Sequence, residues 1–151
     1  MDKGIYCLVF RNPVCLIKVG ALGALAFRAG WHIYVGSALG SGGLLRLRRH
    51  ISLARLRDKR QKWHIDYLLT SPCFSLAYVV YAVTGDHLEC KLACGLDEGG
   101  IPKFGCSDCS CTSHLLYSKS DPKQEILAAF RKLELDPVIK TIITAQVQDN
   151  I

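Results

Sequence analysis

Charge is scarce in this chain, and what little there is lies unevenly. Only 21% of the 151 residues are charged while 50% are hydrophobic. That balance argues against disorder over most of the length and supplies enough apolar material for the core of one domain. No internal repeat and no low-complexity linker is visible, so a single domain spanning residues 1–151 is expected. The glycines at 36, 40, 42 and 43 are not followed by Gly-Lys-Ser/Thr, which argues against a P-loop. A secretory leader is not expected either, because Asp2 and Lys3 lead into a run of alternating character. The longest uncharged stretch lies between Asp66 and Asp86, and Thr70, Ser71 and Pro72 interrupt it. It reads as a helix end, a turn and a buried strand rather than a membrane span. The expectation is a cytoplasmic protein with no membrane partner, in which eight cysteines stay mostly reduced.

The charge that is present has a direction. The formal net charge is +6, yet residues 44–64 alone hold eight basic residues (Arg46, Arg48, Arg49, Arg55, Arg57, Lys59, Arg60, Lys62) against one acidic residue, Asp58. One localised basic surface favours an anionic partner, most commonly nucleic acid, although a solvated basic face explains the charge as well.

The periodicities predict an α+β chain. Residues 4–10 and 14–19, flanking Arg11-Asn12-Pro13, read as a hairpin, and residues 20–30 as a loop or irregular excursion. Residues 31–36 form a third strand in which His32 alternates with Ile33, so His32 is expected at the surface. Leu44, Leu47, Ile51 and Ala54 share one stripe of a helix ending near Leu56, and Arg46 and His50, four apart, share a neighbouring face. A short helix over 63–69, a strand over 75–83, a helix over 86–96 and a strand over 114–117 follow. Asp121-Pro122 opens a last helix reaching about Leu133, as cap and first-turn proline. The tail after Pro137 is apolar enough to pack.

Two constellations carry chemistry. In the first, Gly4-Ile5-Tyr6 and Tyr34-Val35-Gly36 each lie on a strand, so their phenols become neighbours across a sheet, beside the basic helix. Ordinary strand tyrosines with wet hydroxyls are the plain alternative. The second is Cys106, Cys109, Cys111 and His114, four soft ligands in nine residues that match a Cys3His zinc site, with Cys90 and Cys94 as alternative donors. The spacing is unusual for a zinc knuckle, and buried free thiols explain these cysteines equally well. His64 and Asp66 lie on different faces of a helix, so a shared metal is not expected there, while His64 remains within reach of a phosphate. Asp86 and Glu89 have capping-box spacing.

Gly4-Ile5-Tyr6, Tyr34-Val35-Gly36, Arg46 and His50 together resemble the GIY-YIG nuclease superfamily. Longer strings, Trp63-His64-Ile65-Asp66-Tyr67-Leu68-Leu69, Leu88-Glu89-Cys90, Phe104-Gly105-Cys106-Ser107-Asp108-Cys109 and Ser113-His114-Leu115, look like a largely archaeal branch of it. Members of that branch are sometimes fused to endonuclease III-type DNA glycosylases. The resemblance covers residues 4–117, leaving a helix and tail at 121–151. It implies a small antiparallel sheet of about three central strands flanked by helices, and a metal-dependent endonuclease acting on DNA, branched or damaged, in repair or recombination. It further implies Glu89 as the ligand of Mg2+ or Mn2+, Tyr6 or a metal-activated water to start the attack, Arg46 to neutralise phosphate, and Tyr34 and His50 to orient groups. Gly36, Arg48, Arg49, Arg55, Lys59 and His64 would contact the nucleic acid. The chain departs from the pattern in the longer link between Tyr6 and Tyr34 and in the glycine-rich approach to Arg46. No separate DNA-binding domain is expected alongside them, so specificity would fall to the basic helix, nucleic-acid structure or a repair-protein partner. A catalytically inactive nucleic-acid-binding module of the same fold, stabilised by zinc, is the alternative.

Overall fold

The computed structural model describes residues 1–57, 60–96 and 113–142. Along the chain run β1 (Gly4–Asn12), β2 (Cys15–Lys18), a 3-10 turn (Gly20–Leu22), β3 (Ala24–Phe27), β4 (Gly30–Ala38), α1 (Leu45–Leu56), α2 (His64–Leu69), β5 (Ser75–Val83), α3 (Glu89–Gly95), β6 (Leu115–Ser118), α4 (Lys123–Lys132) and β7 (Val138–Thr141).

β1 determines the arrangement. Its first seven residues, Gly4-Ile5-Tyr6-Cys7-Leu8-Val9-Phe10, are all buried. A strand buried on both faces requires a hydrogen-bonded neighbour at each edge and a layer of structure on each side. The neighbours are β4 and β5, both antiparallel, and the five-stranded sheet runs β6-β4-β1-β5-β7. Tyr6, Leu8 and Phe10 enter one core with Leu47, Ile51 and Leu53 of α1 and Ile65, Leu68 and Leu69 of α2. Ile5, Cys7 and Val9 enter the other with Leu92 and Ala93 of α3 and Ile126, Leu127 and Phe130 of α4. The chain is thus an α+β sandwich of helix, sheet and helix layers.

Three expectations need correction. The sheet has five strands rather than about three, because β6 extends it beyond β4 and β7 extends it beyond β5. Residues 4–10 do not form a hairpin with residues 14–19: β2 pairs with β3 as a separate two-stranded ribbon, and β3 lies within the expected loop. The reason is exposure. β2 alternates half-buried and exposed, with Leu16 71% exposed, and such a strand cannot serve as the inner neighbour of β1. His32 is buried rather than exposed, since its face of β4 is covered. The rings of Phe27, Phe74 and Tyr117 surround it at 5.3–5.4 Å. Its Nδ1 lies 2.7 Å from Asn12 Oδ1. Asn12 donates its amide to the carbonyls of Pro13 and Arg28, so His32 is the donor in that pair.

The motif glycines have steric causes. Tyr6 stands opposite Gly36 in the ladder, and a methyl group on Gly36 would lie 2.5 Å from Tyr6 Cζ. One on Gly4 would lie 2.5 Å from the carbonyl oxygen of Ala82. The glycine closing the second tripeptide therefore makes room for the tyrosine ending the first. Gly36→Ala is expected to destabilise the fold by about 1–3 kcal/mol in chemical denaturation, through overpacking. Gly85→Ala, where nothing lies within 4 Å, should stay within about 0.5 kcal/mol.

Candidate active site

Tyr6 projects from the middle of the sheet towards α1, and its hydroxyl lies 2.9 Å from His50 Nε2, with both side chains buried. The phenol is held well above its ordinary pKa, first by burial and then by neighbouring Tyr34, with Arg46 and Arg49 acting in the opposite direction. The imidazole is pushed down to about 4, again mainly by burial; Asp66 opposes the shift, while Arg49 and Arg46 reinforce it. Near neutral pH the pair is a phenol and an uncharged imidazole. A free phenolate at Tyr6 is therefore not the resting state. The ring nitrogen is the group able to accept a proton.

Tyr34 lies on the same face of the sheet as Tyr6: Leu8 is its partner across the ladder, as Gly36 is the partner of Tyr6. Arg46 donates from Nη1 to the carbonyl oxygen of Ser37 at 3.2 Å. Its guanidinium lies 5.2 Å from the centre of the Trp63 ring. Trp63 gathers the site. Arg49 lies 4.4 Å and Lys62 5.4 Å from the ring centre, and His50 meets it edge to face at 6.0 Å. With its indole 37% exposed, Trp63 holds three cations at the mouth of the buried Tyr6–His50 pair. Cation–π contacts of this kind contribute about 0.5–1 kcal/mol each at exposed sites.

Asp66 anchors the cluster from below. It is fully buried. Its Oδ2 accepts the backbone N–H groups of Lys62 at 2.8 Å and Trp63 at 3.0 Å, which fixes the entry to α2. The same oxygen lies 3.7 Å from Arg49 Nη2. Trp63 and Asp66 were not among the expected site residues. A tryptophan followed three positions later by an aspartate that reaches back to its N–H is a helix-start signal, and that is where they could have been found. His64, half-buried, is the first residue of α2 and shares no face with Asp66.

Glu89 stands elsewhere. It opens α3, whose Leu92 and Ala93 enter the opposite core. The capping-box alternative does not form: α3 has no side-chain cap, and the Asp86 N–H turns back to Thr84 Oγ1 at 3.2 Å. Glu89 Oε2 is buried and accepts no hydrogen bond among the described residues. Its charge works against the burial that lowers the pKa of His114. His114 Nε2 lies 3.7 Å from Cys90 Sγ, and its carbonyl accepts the N–H of Val35 at 2.8 Å. β4 therefore links the two groups, with Tyr34 facing α1 and the adjacent Val35 on the α3 side. An unpaired buried carboxylate oxygen suits a hard cation, and Mg2+ commonly takes one or two carboxylates and completes its shell with water and phosphate. No group of three or more His, Cys, Asp or Glu that could hold a metal occurs among the described residues. Cys106, Cys109, Cys111 and Lys59 lie outside the described residues.

Arg48 and Arg55 point away from this cluster. With Lys140 of β7, Tyr81, Leu47, Ile51 and Leu56 they line a cavity of about 680 Å³, whose described lining contains no acidic residue. α1 thus carries cations on two sides: Arg46 and Arg49 beside Tyr6, Arg48 and Arg55 beside the sheet edge. No helix among the described residues is long and apolar enough to cross a membrane.

The histidine geometry sets a pH dependence. Folding depresses His50 and His32 to about 4 from 6.5, so between those values the unfolded chain binds protons that the folded chain excludes. Their contribution is complete above pH 6.5 and is lost as the pH falls towards 4. Chemical denaturation should show stability falling with acid by up to about 1.4 kcal/mol per pH unit for each histidine. His50→Gln should flatten the slope, and a flat profile in the parent protein would contradict the burial.

Residues 5–135 match the family model described as Domain of unknown function DUF123. No curated protein and no solved structure matches the chain.

Proposed function

This chain belongs to the DUF123 family, and we propose that it is a metal-dependent endonuclease that hydrolyses DNA phosphodiester bonds, on branched or damaged DNA in repair or recombination. The proposal takes up the resemblance to GIY-YIG nucleases, in a branch related to chains fused with endonuclease III-type glycosylases. The observation that carries it is the buried hydrogen bond between Tyr6 and His50 beneath the cations held on Trp63. A phosphodiester hydrolase must place a proton acceptor and positive charge around one phosphorus, and this cluster offers both.

In this reading Arg46 and Arg49 bind the phosphate oxygens, and their charge favours phenolate over phenol at Tyr6. Tyr6 passes its proton to His50 Nε2 as it takes one from the attacking water. Tyr34 orients the phosphate beside Tyr6, and Gly36 keeps the approach clear. Glu89 would hold Mg2+ or Mn2+ on the α3 side of the sheet, away from Tyr6 and His50, where the cation would supply positive charge to a phosphate group bound beside it. His64, at the start of α2, contacts the strand beyond the cut. A structural zinc would use Cys106, Cys109, Cys111 and His114, and metal analysis of the purified protein tests for it.

Cleavage of flapped, branched and damaged DNA with Mg2+ or Mn2+ is the first measurement. Arg46→Ala is expected to lower the rate by about 100- to 1,000-fold, as for loss of a donor that stabilises transition-state charge. Glu89→Ala is expected to remove the metal dependence. If both variants cut as fast as the parent, the mechanism is wrong.

A second reading, a nucleic-acid-binding module without hydrolysis, draws on the cavity beside Arg48, Arg55 and Lys140. These cations, with Lys59, would carry backbone affinity in either case, alone or alongside a repair-protein partner. Charge reversal at Arg48, Arg55 and Lys140 together should weaken duplex binding and flatten its salt dependence by about 0.9 log units per lost phosphate contact. Binding with that salt slope and no cleavage under any metal would favour the module over the enzyme.

A further inference from the structure

Three buried polar atoms near Tyr6 make no hydrogen bond among the described residues: Arg49 Nη1, His50 Nδ1 and Asp66 Oδ1. Buried polar groups are nearly always satisfied, so three in one cluster call for a common explanation. Their side chains act on one another. Arg49 pairs with Asp66 at 3.7 Å, and both Asp66 and Arg49 perturb His50. The chemistry of the three is complementary. Arg49 Nη1 can only donate, Asp66 Oδ1 can only accept, and His50 Nδ1 donates in one tautomer and accepts in the other.

The far side of the ring faces Tyr6, a neutral phenol whose oxygen lies 2.9 Å from Nε2, and at that spacing either partner can donate. For Tyr6 to donate, Nε2 must be bare and the ring proton must sit on Nδ1. A proton on Nδ1 needs an acceptor, and Asp66 Oδ1 is the unused acceptor in the cluster. One water accepting from His50 Nδ1 and Arg49 Nη1 and donating to Asp66 Oδ1 would satisfy all three.

We infer that Asp66 is a positioning residue that fixes His50 as the Nδ1–H tautomer, leaving Nε2 open to take the proton of Tyr6. The inference rests on the reading of Tyr6 and His50 as the proton-handling pair of a phosphodiesterase. The step is balanced: the Tyr6 O–H bond breaks as the Nε2–H bond forms, and the phenolate oxygen takes a proton from the attacking water. The imidazolium so formed is bonded at Nδ1 towards the Asp66 carboxylate, which offsets its charge. The charged and titratable groups facing His50 are Tyr6 from β1, with Tyr34 of β4 beside it, Arg46 and Arg49 from its own helix, and Asp66 from α2. Lys62 stands across Trp63. Among the described residues Asp66 is the single anion of the set, and so the one that favours the imidazolium.

The test reads the tautomer directly. Two-bond proton–nitrogen NMR correlation on the full chain at about pH 7.5, with His50 assigned through His50→Gln, should show the proton on Nδ1. A proton on Nε2 in the parent protein overturns the inference without need of any variant. Asp66→Asn is nearly isosteric, and its oxygen can still accept from Lys62 and Trp63 while its amide presents a donor to Nδ1. It should move the ring proton to Nε2 and slow cleavage by roughly 100-fold or more, with its alkaline limb shifted. Loss of cleavage with an unchanged tautomer overturns the proposed role and leaves Asp66 as a helix-start anchor only. If the parent cuts no DNA under any metal, the nuclease reading fails, and the tautomer measurement still decides what Asp66 does to His50.

Discussion

A strand with no exposed face dictates the rest of this molecule. β1 is buried residue after residue, and its two edges and two faces need four separate covers. β4 and β5 supply the hydrogen bonds, α1 and α2 close one side, and α3 and α4 close the other. Because side chains alternate along a strand, Tyr6 and Cys7 are neighbours in sequence yet belong to different cores. The same alternation carries a polar hydroxyl into the apolar layer under α1. His50 is there because Tyr6 needs a partner: a buried hydroxyl left without one costs about 1–3 kcal/mol.

That requirement spreads outward. An imidazole under α1 is itself buried and prefers to be neutral. Asp66, lower in the same cluster, is more costly to bury; its Oδ2 accepts the Lys62 and Trp63 N–H groups and is ion-paired with the Arg49 guanidinium at 3.7 Å. Trp63 then collects the cations that emerge from α1. Each polar group is placed by the need to satisfy the one beneath it, from a solvent-facing indole down to the centre of the sheet. A chain of this kind gives a buried proton-transfer pair an electrostatic connection to the surface, where an anion would bind.

The sequence made part of this legible. α1 was readable because Leu44, Leu47 and Ile51 keep helical spacing over a long enough run, and β5 because its nine residues are rich in Tyr and Val and lie between breaks. The pairing of the strands was not readable. Residues 4–10 and 14–19 have a turn signal between them, and local turn chemistry pointed to a hairpin. What overrode it is long-range: β1 buries more when flanked by β4 and β5 than beside the exposed β2. β6 was expected over 114–117 and lies at Leu115–Ser118, whereas β7, four exposed residues long, left no periodicity to stand out. His32 was misplaced because alternation assigns faces without saying whether a face is covered. At the site, the two tyrosines, Arg46 and His50 were visible as motif residues. Trp63 and Asp66 carried a local helix-start signal, but their part in the site arises from the approach of α2 to α1, which that signal does not encode. Glu89 stood out by position, yet only the fold reveals that its carboxylate lies with Cys90 and His114.

β7 is a small element with a large protective effect. It pairs with β5 from Tyr78 to Tyr81, and its own residues are all exposed, with Lys140 among them. A short, water-facing, charged border strand is a way for a sheet to end without inviting another copy to continue it. A version of the chain cut after α4 would lose that border and bare a row of amide and carbonyl groups on a Tyr- and Val-rich strand. Such a truncation would favour self-association through the sheet edge while leaving the tyrosine–histidine pair untouched on the opposite flank of α1.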